Sequence, residues 1–456
     1  MKKNSWIPLV LLFAFSLSSN AQTKKWTLEE CVKYALEHNI SIKQTALDNE
    51  SALIDKKGAL GNFLPSVNAS ASHSWNIGLN QDITTGLLQN KTTQFTSAGA
   101  SVGVDIYKGL QNQNTLRKAK LSIIAAQYQL TKMQEDIALN VANAFLQVLF
   151  NKENLKVQKE QMSINEKQLS RSQELVNAGT IPRGDLLDIK ATLATDNQNI
   201  ITAENNLLIS KLSLAQLLQL DSFESFDVVD DTMAKDENNI LAQEPMVIYD
   251  KAKEGRTELK IAQTNLEIAE KNVAIAKGGF HPTLQGFYNF NTRISYADIA
   301  LRDNNGAVIG VQSAPPFFDQ FSDNKGQSYG MQLNIPIFNG FSAKNNVERS
   351  KVSLEKSKIA LEQQNLDLQR NVYTAFADAK GALKSHESAL VALESRQASY
   401  TYAKDKFDVG LMNSFDLNQA QTLLSNAQSE VLRSKYDYIF KIKILEFYFG
   451  IPIIKN

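Results

Sequence analysis

The side chains best suited to chemistry in this 456-residue chain are four histidines and one cysteine. His38, His73, His281 and His386 are scattered and fall at no metal-ligand spacing. Cys31 has no partner for an internal disulfide, and its setting, WTLEECVKYALEHN, reads as the start of an amphipathic helix. Glu29 and Glu30 directly before it argue against lipid attachment, which wants small residues there. There is no phosphate-binding loop, no dinucleotide fingerprint and no nucleophile elbow. No enzyme, cofactor or metal site is expected, so energy for any work must come from a partner. What remains is carboxylate chemistry. Asp185, Asp188 and Asp416 follow two glycine-bearing turns, AGTIPRGDLLD and VGLMNSFDLNQA, and Gln419 stands in the second where Asp188 stands in the first. Helix capping, or favourable charge at a helix N-terminus, accounts for acids at such places.

The equivalence of those turns reflects a duplication. GNFLPSVNASAS (61–72) is echoed by GGFHPTLQGFYN (278–289), and VGVDIYKGLQNQNTLRKAKLS (102–122) by LNIPIFNGFSAKNNVERSKVS (333–353). VNAGTIPRGDLLDIKATL (176–193) is echoed by FDVGLMNSFDLNQAQTLL (407–424). Each copy reads helix, strand, strand, very long helix, turn, helix. The first copy, 22–220, places helices at 27–61, 111–177 and 184–220 and strands at 63–80 and 95–107. The second, 245–448, places helices at 245–278, 342–408 and 412–448 and strands at 281–293 and 328–338. An acidic connector, 221–244, joins them, and 449–456 forms a tail. Gln111 to Asn177 contains neither Pro nor Gly, and a helix of that length runs ~100 Å. The two shorter helices of a copy, stacked end to end, would match it.

The strands alternate cleanly. In 66–80, Val67, Ala69, Ala71, Trp75, Ile77 and Leu79 oppose Ser66, Asn68, Ser70, Ser72, Ser74, Asn76 and Asn80. Four strands this long, apolar on one face and Ser, Asn or Gly on the other, read as transmembrane barrel strands facing lipid outside and a wet lumen inside. Four cannot close, because open edges in lipid leave backbone groups unpaired, so the chain is expected to oligomerise to eight, 12 or 16 strands. Loops 81–94 and 294–327 then face outward.

The N-terminus reads as a cleaved secretory signal over 1–21: Lys2 and Lys3, an apolar run from Ile7 to Leu17, then SNA. No later segment is apolar enough for a helical membrane span. The net charge is zero with no basic block, so there is no electrostatic footprint for nucleic acid.

This ordered set, from signal and duplicated unit to FLPSV/FHPTL, IYKG/IFNG and the two turns, resembles the TolC-like outer-membrane efflux family over essentially the whole mature chain. The resemblance implies an α+β membrane protein of Gram-negative bacteria: a homotrimer whose 12-stranded transmembrane β-barrel continues as a periplasmic α-helical barrel of coiled coils. It implies the outer-membrane channel-tunnel of a tripartite export system, a passive exit duct for small molecules. An inner-membrane transporter of RND or ABC type would drive it through a periplasmic adaptor. Type I protein secretion and a plugged, periplasm-spanning structural role are the alternatives. Carried over residue by residue, Gly179, Thr180, Gly410 and Leu411 are adaptor-contacting turn positions, and Asp185, Asp188, Asp416, Gln419, Phe407 and Met412 lie at the pore mouth or gate. Three copies of Asp416 would make a ring attractive to cations. Gln419 replaces the ring's second acid, and Phe407 and Met412 stand where family gates use a Tyr and an Arg. The family's doubled acidic ring and hydrogen-bonded lock are therefore not expected in that form.

Overall fold

The computed structural model describes residues 25–82, 86–220, 226–229 and 240–453. The signal segment 1–21 and most of the connector 221–244 lie outside them. The described chain forms two compact units. One contains the residues up to Lys43, Met133–Arg256 and those from Leu368 onward; the other contains Gln44–Lys132 and Thr257–Asp367. Each unit therefore draws on both sequence copies.

The second unit holds an antiparallel sheet in the order β2-β3-β5-β8. Its strands are β2 (Ser66–Gln81), β3 (Leu88–Lys108), β5 (Thr283–Ser295) and β8 (Gly326–Asn334). The register puts Val67, Val102, Tyr288 and Tyr329 in one row of one face, and Asn68, Ser101, Asn289 and Ser328 in a row of the other. Among the described residues, no strand lies beside the outer margins of β2 and β8. The apolar face is bare over much of its area: Ile77 and Tyr329 are each 84% exposed and Met331 73%. A monomer leaves such a patch uncovered only where something else covers it in place.

Several strand ends differ from the sequence expectation. β2 begins after Pro65, and β5 after Pro282, since proline cannot donate to the ladder. β3 starts at Leu88 rather than 95: the polar run LQNKTTQ pairs with Trp75–Gln81 of β2, so cross-strand pairing overrides its weak alternation. β8 stops at Asn334 rather than 338, because its partner β5 begins opposite it at Thr283 and Pro336 follows. The segment expected as loop 294–327 carries a small hairpin, β6 (Ile299–Arg302) with β7 (Val308–Gln312), and helix α7 (Phe317–Asp323). Gln320 of α7 stands in for a missing strand beside β5. Its amide accepts from Ser295 N at 2.9 Å and donates to Ser295 O at 2.9 Å and Pro315 O at 2.8 Å.

Chain reversal from strand to long helix uses the same device twice. Gly109 and Leu110 are both left-handed, at φ 56° and 60°, and so are Gly340 and Phe341, at 61° and 65°. At Gly109 a side chain would also strike the Gly278 carbonyl, so the position needs glycine for space as well as conformation.

The helices are α1 (Leu28–His38), α2 (Ile40–Gly61), α3 (Gln111–Asn177), α4 (Arg183–Leu218), α5 (Pro245–Gly255), α6 (Thr257–Lys277), α8 (Ser342–Asp408) and α9 (Ser414–Phe449). The single helices expected over 27–61 and 245–278 are each broken. Asn39 leaves the helical region at φ −61°, ψ 130°; its side chain accepts from Ser41 N, capping α2, and donates to Leu217 O of α4. Arg256 breaks the equivalent point at φ −64°, ψ 129°, with its guanidinium on Glu135 at 3.2 Å and over the Phe447 ring at 3.9 Å. In both places a buried polar side chain bonds to a neighbouring helix.

The first unit is a helical bundle. Val141, Phe145, Val148 and Leu149 of α3 recur at helical spacing and are buried, as are Leu214 and Leu218 of α4, Ile248 of α5 and Leu445 of α9. Each such side chain contributes about 1.5–3 kcal/mol on burial. α1 starts with a capping box: Glu30 N donates to Thr27 Oγ1, and Thr27 N to Glu30 Oε2. Cys31 lies wholly buried in it, a packing residue. β1 (Lys25–Trp26) pairs in parallel with β4 (Asp227–Val228), and Asp227 there receives Lys152 at 2.8 Å and Lys211 at 3.0 Å. Burial pushes the Asp227 carboxyl up, but hydrogen bonds and charge from the two lysines outweigh it and hold it below its ordinary value.

Candidate functional site: the two helix turns

Both long helices end in the same closed turn. Thr180 N donates to Leu175 O and Gly179 N to Val176 O, each at 3.0 Å, with Gly179 at φ 73°. Leu411 N donates to Lys406 O at 2.8 Å and Gly410 N to Phe407 O at 3.0 Å, with Gly410 at φ 79°. This pair of bonds, closing over a left-handed glycine, satisfies the last carbonyls of each helix and stops it sharply. Gly179, Thr180, Gly410 and Leu411 are all exposed at these turns. Leu411 is 76% exposed and Phe415, just beyond, 66%.

The helices that follow start differently. α9 is capped by Asn413, whose Oδ1 accepts from Asp416 N at 2.8 Å. α4 starts at Pro182 with no side-chain cap. Asp416 thus uses its backbone in the cap while its carboxylate stays exposed, and Asp185 lies half-buried in the first turn of α4. Asp188 and Gln419 are exposed one turn further on. Among the described residues no hydrogen bond or ion pair joins these four side chains. Phe407 does not stand in open space. It is buried with Ala403 and Leu417, and Tyr400, Met412 and Ala420 pack against the same cluster. The pairing of Phe407 with Met412 is therefore an apolar clasp inside the α8–α9 hairpin.

Polar contacts between the hairpins were not anticipated. Arg171 of α3 donates to Asp408 of α8 at 2.7 Å. Deeper in, Asn165 of α3 donates to Asp196 of α4 and accepts from Gln421 Nε2 of α9 at 2.7 Å. All three of these residues are buried. Burial raises the Asp196 carboxyl above its usual range, and the Asn165 bond offsets only part of that. A polar groove of about 490 Å³ runs alongside, between Asn154, Gln158 and Gln161 of α3, Thr195 and Asn199 of α4 and Thr422 of α9. Among the described residues no group of His, Cys, Asp and Glu could hold a metal ion.

Comparison with known proteins decides the family. The family described as "Outer membrane efflux protein" matches residues 31–219 and 248–443. The chain belongs to the outer membrane efflux protein family. It is 23% identical over 437 residues to outer membrane protein TolC of Escherichia coli (strain K12), covering 94% of this chain and 84% of that protein. TolC of Vibrio cholerae is 22% identical over 447 residues, 95% of this chain and 93% of that one. Among solved structures, the outer membrane protein VceC of Vibrio cholerae superposes with a TM-score of 0.75 at 14% identity, over 93% of this chain and 96% of that chain. CusC gives 0.76 at 16% identity, over 95% of each. This efflux protein is accordingly an outer-membrane protein of a Gram-negative bacterium, with a mixed and mostly helical fold.

The matched segments end at 219 and resume at 248, so they coincide with the two sequence copies. Within this efflux protein the missed residues had little sequence signal. Asn165, Ser172 and Gln421 are polar side chains on faces that are otherwise buried, which could have marked them. The partners of Asn165 lie 31 and 256 residues away, beyond any local rule.

Proposed function

We propose that this efflux protein closes as a homotrimer into a 12-stranded barrel continued by a periplasmic helical barrel. It serves there as a passive exit duct for small molecules, coupled through a periplasmic adaptor to an inner-membrane transporter. One observation carries the reading: the four-stranded sheet has two unpaired margins, one bare apolar face and one face of Ser, Asn and Gly. Pairing β8 of one copy with β2 of the next repeats head to tail and closes a ring, so no backbone is left unpaired in lipid. The small polar face then lines water. The exposed turns at Gly179–Thr180 and Gly410–Leu411 supply the surface for the adaptor, and Asp185, Asp188, Asp416 and Gln419 surround the pore mouth.

Native mass spectrometry of the detergent-extracted protein should give three copies, and planar bilayers should give discrete conductance steps. Deleting the gene should raise retention of a fluorescent small-molecule export substrate while leaving protein secretion intact. A stable monomer would refute the ring. Three copies without conductance would favour a plugged strut, and a selective secretion defect would favour type I export.

A further inference from the structure

The polar face of the sheet carries one charge that is not matched. Lys91 on that face pairs with Asp82 at 3.2 Å, and Lys108 with Asp105 at 2.8 Å. Arg293 of β5 makes no ion pair among the described residues. Ser97 lies opposite it on β3, and the Ser, Asn and Gly rows continue below it. The other face is closed at that level. Thr292 and Ile294 are buried there; Thr292 Oγ1 donates to Phe321 O of α7 at 3.1 Å, and the Phe321 ring lies 6.2 Å from Phe290. The guanidinium is therefore on the open side, and exposed. Its Cζ sits 4.1 Å from the centre of the Phe95 ring. Stacking on an aromatic face fixes the plane of a guanidinium and leaves its N–H edge free to meet a carboxylate or phosphate with two bonds. Asp298, Asp303, Asp319 and Asp323 follow in the loop, all exposed, and none pairs with it.

Position matters as much as charge. β5 leaves the helical end at Thr283, so Arg293 lies ~33 Å along the strand at the far end of the sheet. Trp75 and Tyr296 lie about three residues further out on the opposite face, level with Gln94, each packed edge to face on His73. Aromatic side chains just beyond Arg293 suit a lipid headgroup zone.

We propose that Arg293, repeated in each subunit, forms a ring near the outer mouth of the pore that recognises anionic groups on departing solutes: carboxylate, sulfonate or phosphate. The inference rests on the oligomeric channel proposed above.

The test is planar-bilayer recording on the full-length channel with R293Q and R293K. Unit charges about one Debye length (~10 Å) from the pore axis at ~0.1 M salt change the chloride-to-potassium permeability ratio about threefold. R293Q should lower that ratio by this factor. It should also weaken block by inorganic tripolyphosphate added on the outer side by about tenfold, the value of one good charge-assisted contact. R293K keeps the charge but loses the flat fork, so the ratio should hold while block weakens. Should R293Q fail to assemble, R293K is compared with wild type alone: weaker block supports the ring, and equal block overturns it. A conducting R293Q channel with wild-type ratio and block overturns the ring and leaves the duct standing. A wild-type protein that never conducts overturns both.

Discussion

Replacing Phe407 by Ala tests whether the turn after α8 is held by the clasp beneath it. The ring is 8% exposed, with Ala403 and Leu417 buried beside it and Met412 packed against it. Burial and cavity costs for Phe→Ala run about 3–5 kcal/mol, and the open end of a hairpin can partly collapse, so about 3 kcal/mol is expected. The loss is local, because the clasp lies at the end of the hairpin. It therefore appears as a rise of about a hundredfold in local opening. Hydrogen exchange read by mass spectrometry should show it in the amides of Gly410, Leu411 and Leu417, which donate to Phe407 O, Lys406 O and Asn413 O. Peptides from 342–367 of α8 should be unchanged. An acceleration below about fivefold, or one spread evenly along the chain, would mean that Phe407 does not hold this turn.

Further outcomes follow for Asn413, Asp416, Asp196 and Gln320. Asn413→Ala should cost about 1 kcal/mol by removing the α9 cap, seen as a lower melting temperature, whereas Asp416→Ala should cost only a few tenths. Instead, Asp416→Ala should weaken cation preference in bilayer recordings; unchanged selectivity would leave that acid a helix-terminus role alone. Asp196→Asn should stabilise the protein at neutral pH. The carboxyl binds its proton more tightly folded than unfolded, so its penalty is absent below the unfolded value, grows as pH rises toward the folded one and is full above it. Melting curves at pH 4 and pH 7.5 should thus differ less for the variant than for wild type, and an equal difference would contradict this. Gln320→Ala strips three hydrogen bonds from Ser295 and Pro315 and should cost about 2 kcal/mol locally, read as faster proteolysis between 296 and 325.

The sequence carried the long elements well, for physical reasons that are local. From Gln111 to Asn177 nothing interrupts a helix, and Gly179 and Gly410 supply the left-handed residue that ends one. Alternation marked all four sheet strands because one face is apolar and the other small and polar. The misjudged points depend on neighbours distant in sequence. Leu88–Gln94 becomes strand because β2 offers it a ladder, not because its own pattern alternates. Asn39 stands at a helix break, and its side chain donates to Leu217 O, 178 residues away. Arg256 could have been read, since Gly255 before it and Thr257–Glu258 after it are ordinary stop and start signals. At the turns, residue type and equivalence placed the glycines and acids correctly at helix ends. They could not distinguish Phe407 facing open space from Phe407 buried against Leu417.

The bare margins of β2 and β8 bear on how such a subunit reaches its destination. Until companions arrive, each copy presents two strands able to zip onto any extended peptide, beside a greasy sheet surface. In the ring proposed above, a copy that keeps only one sound margin could join yet never let the ring shut. A single faulty gene copy would then poison the products of an intact one.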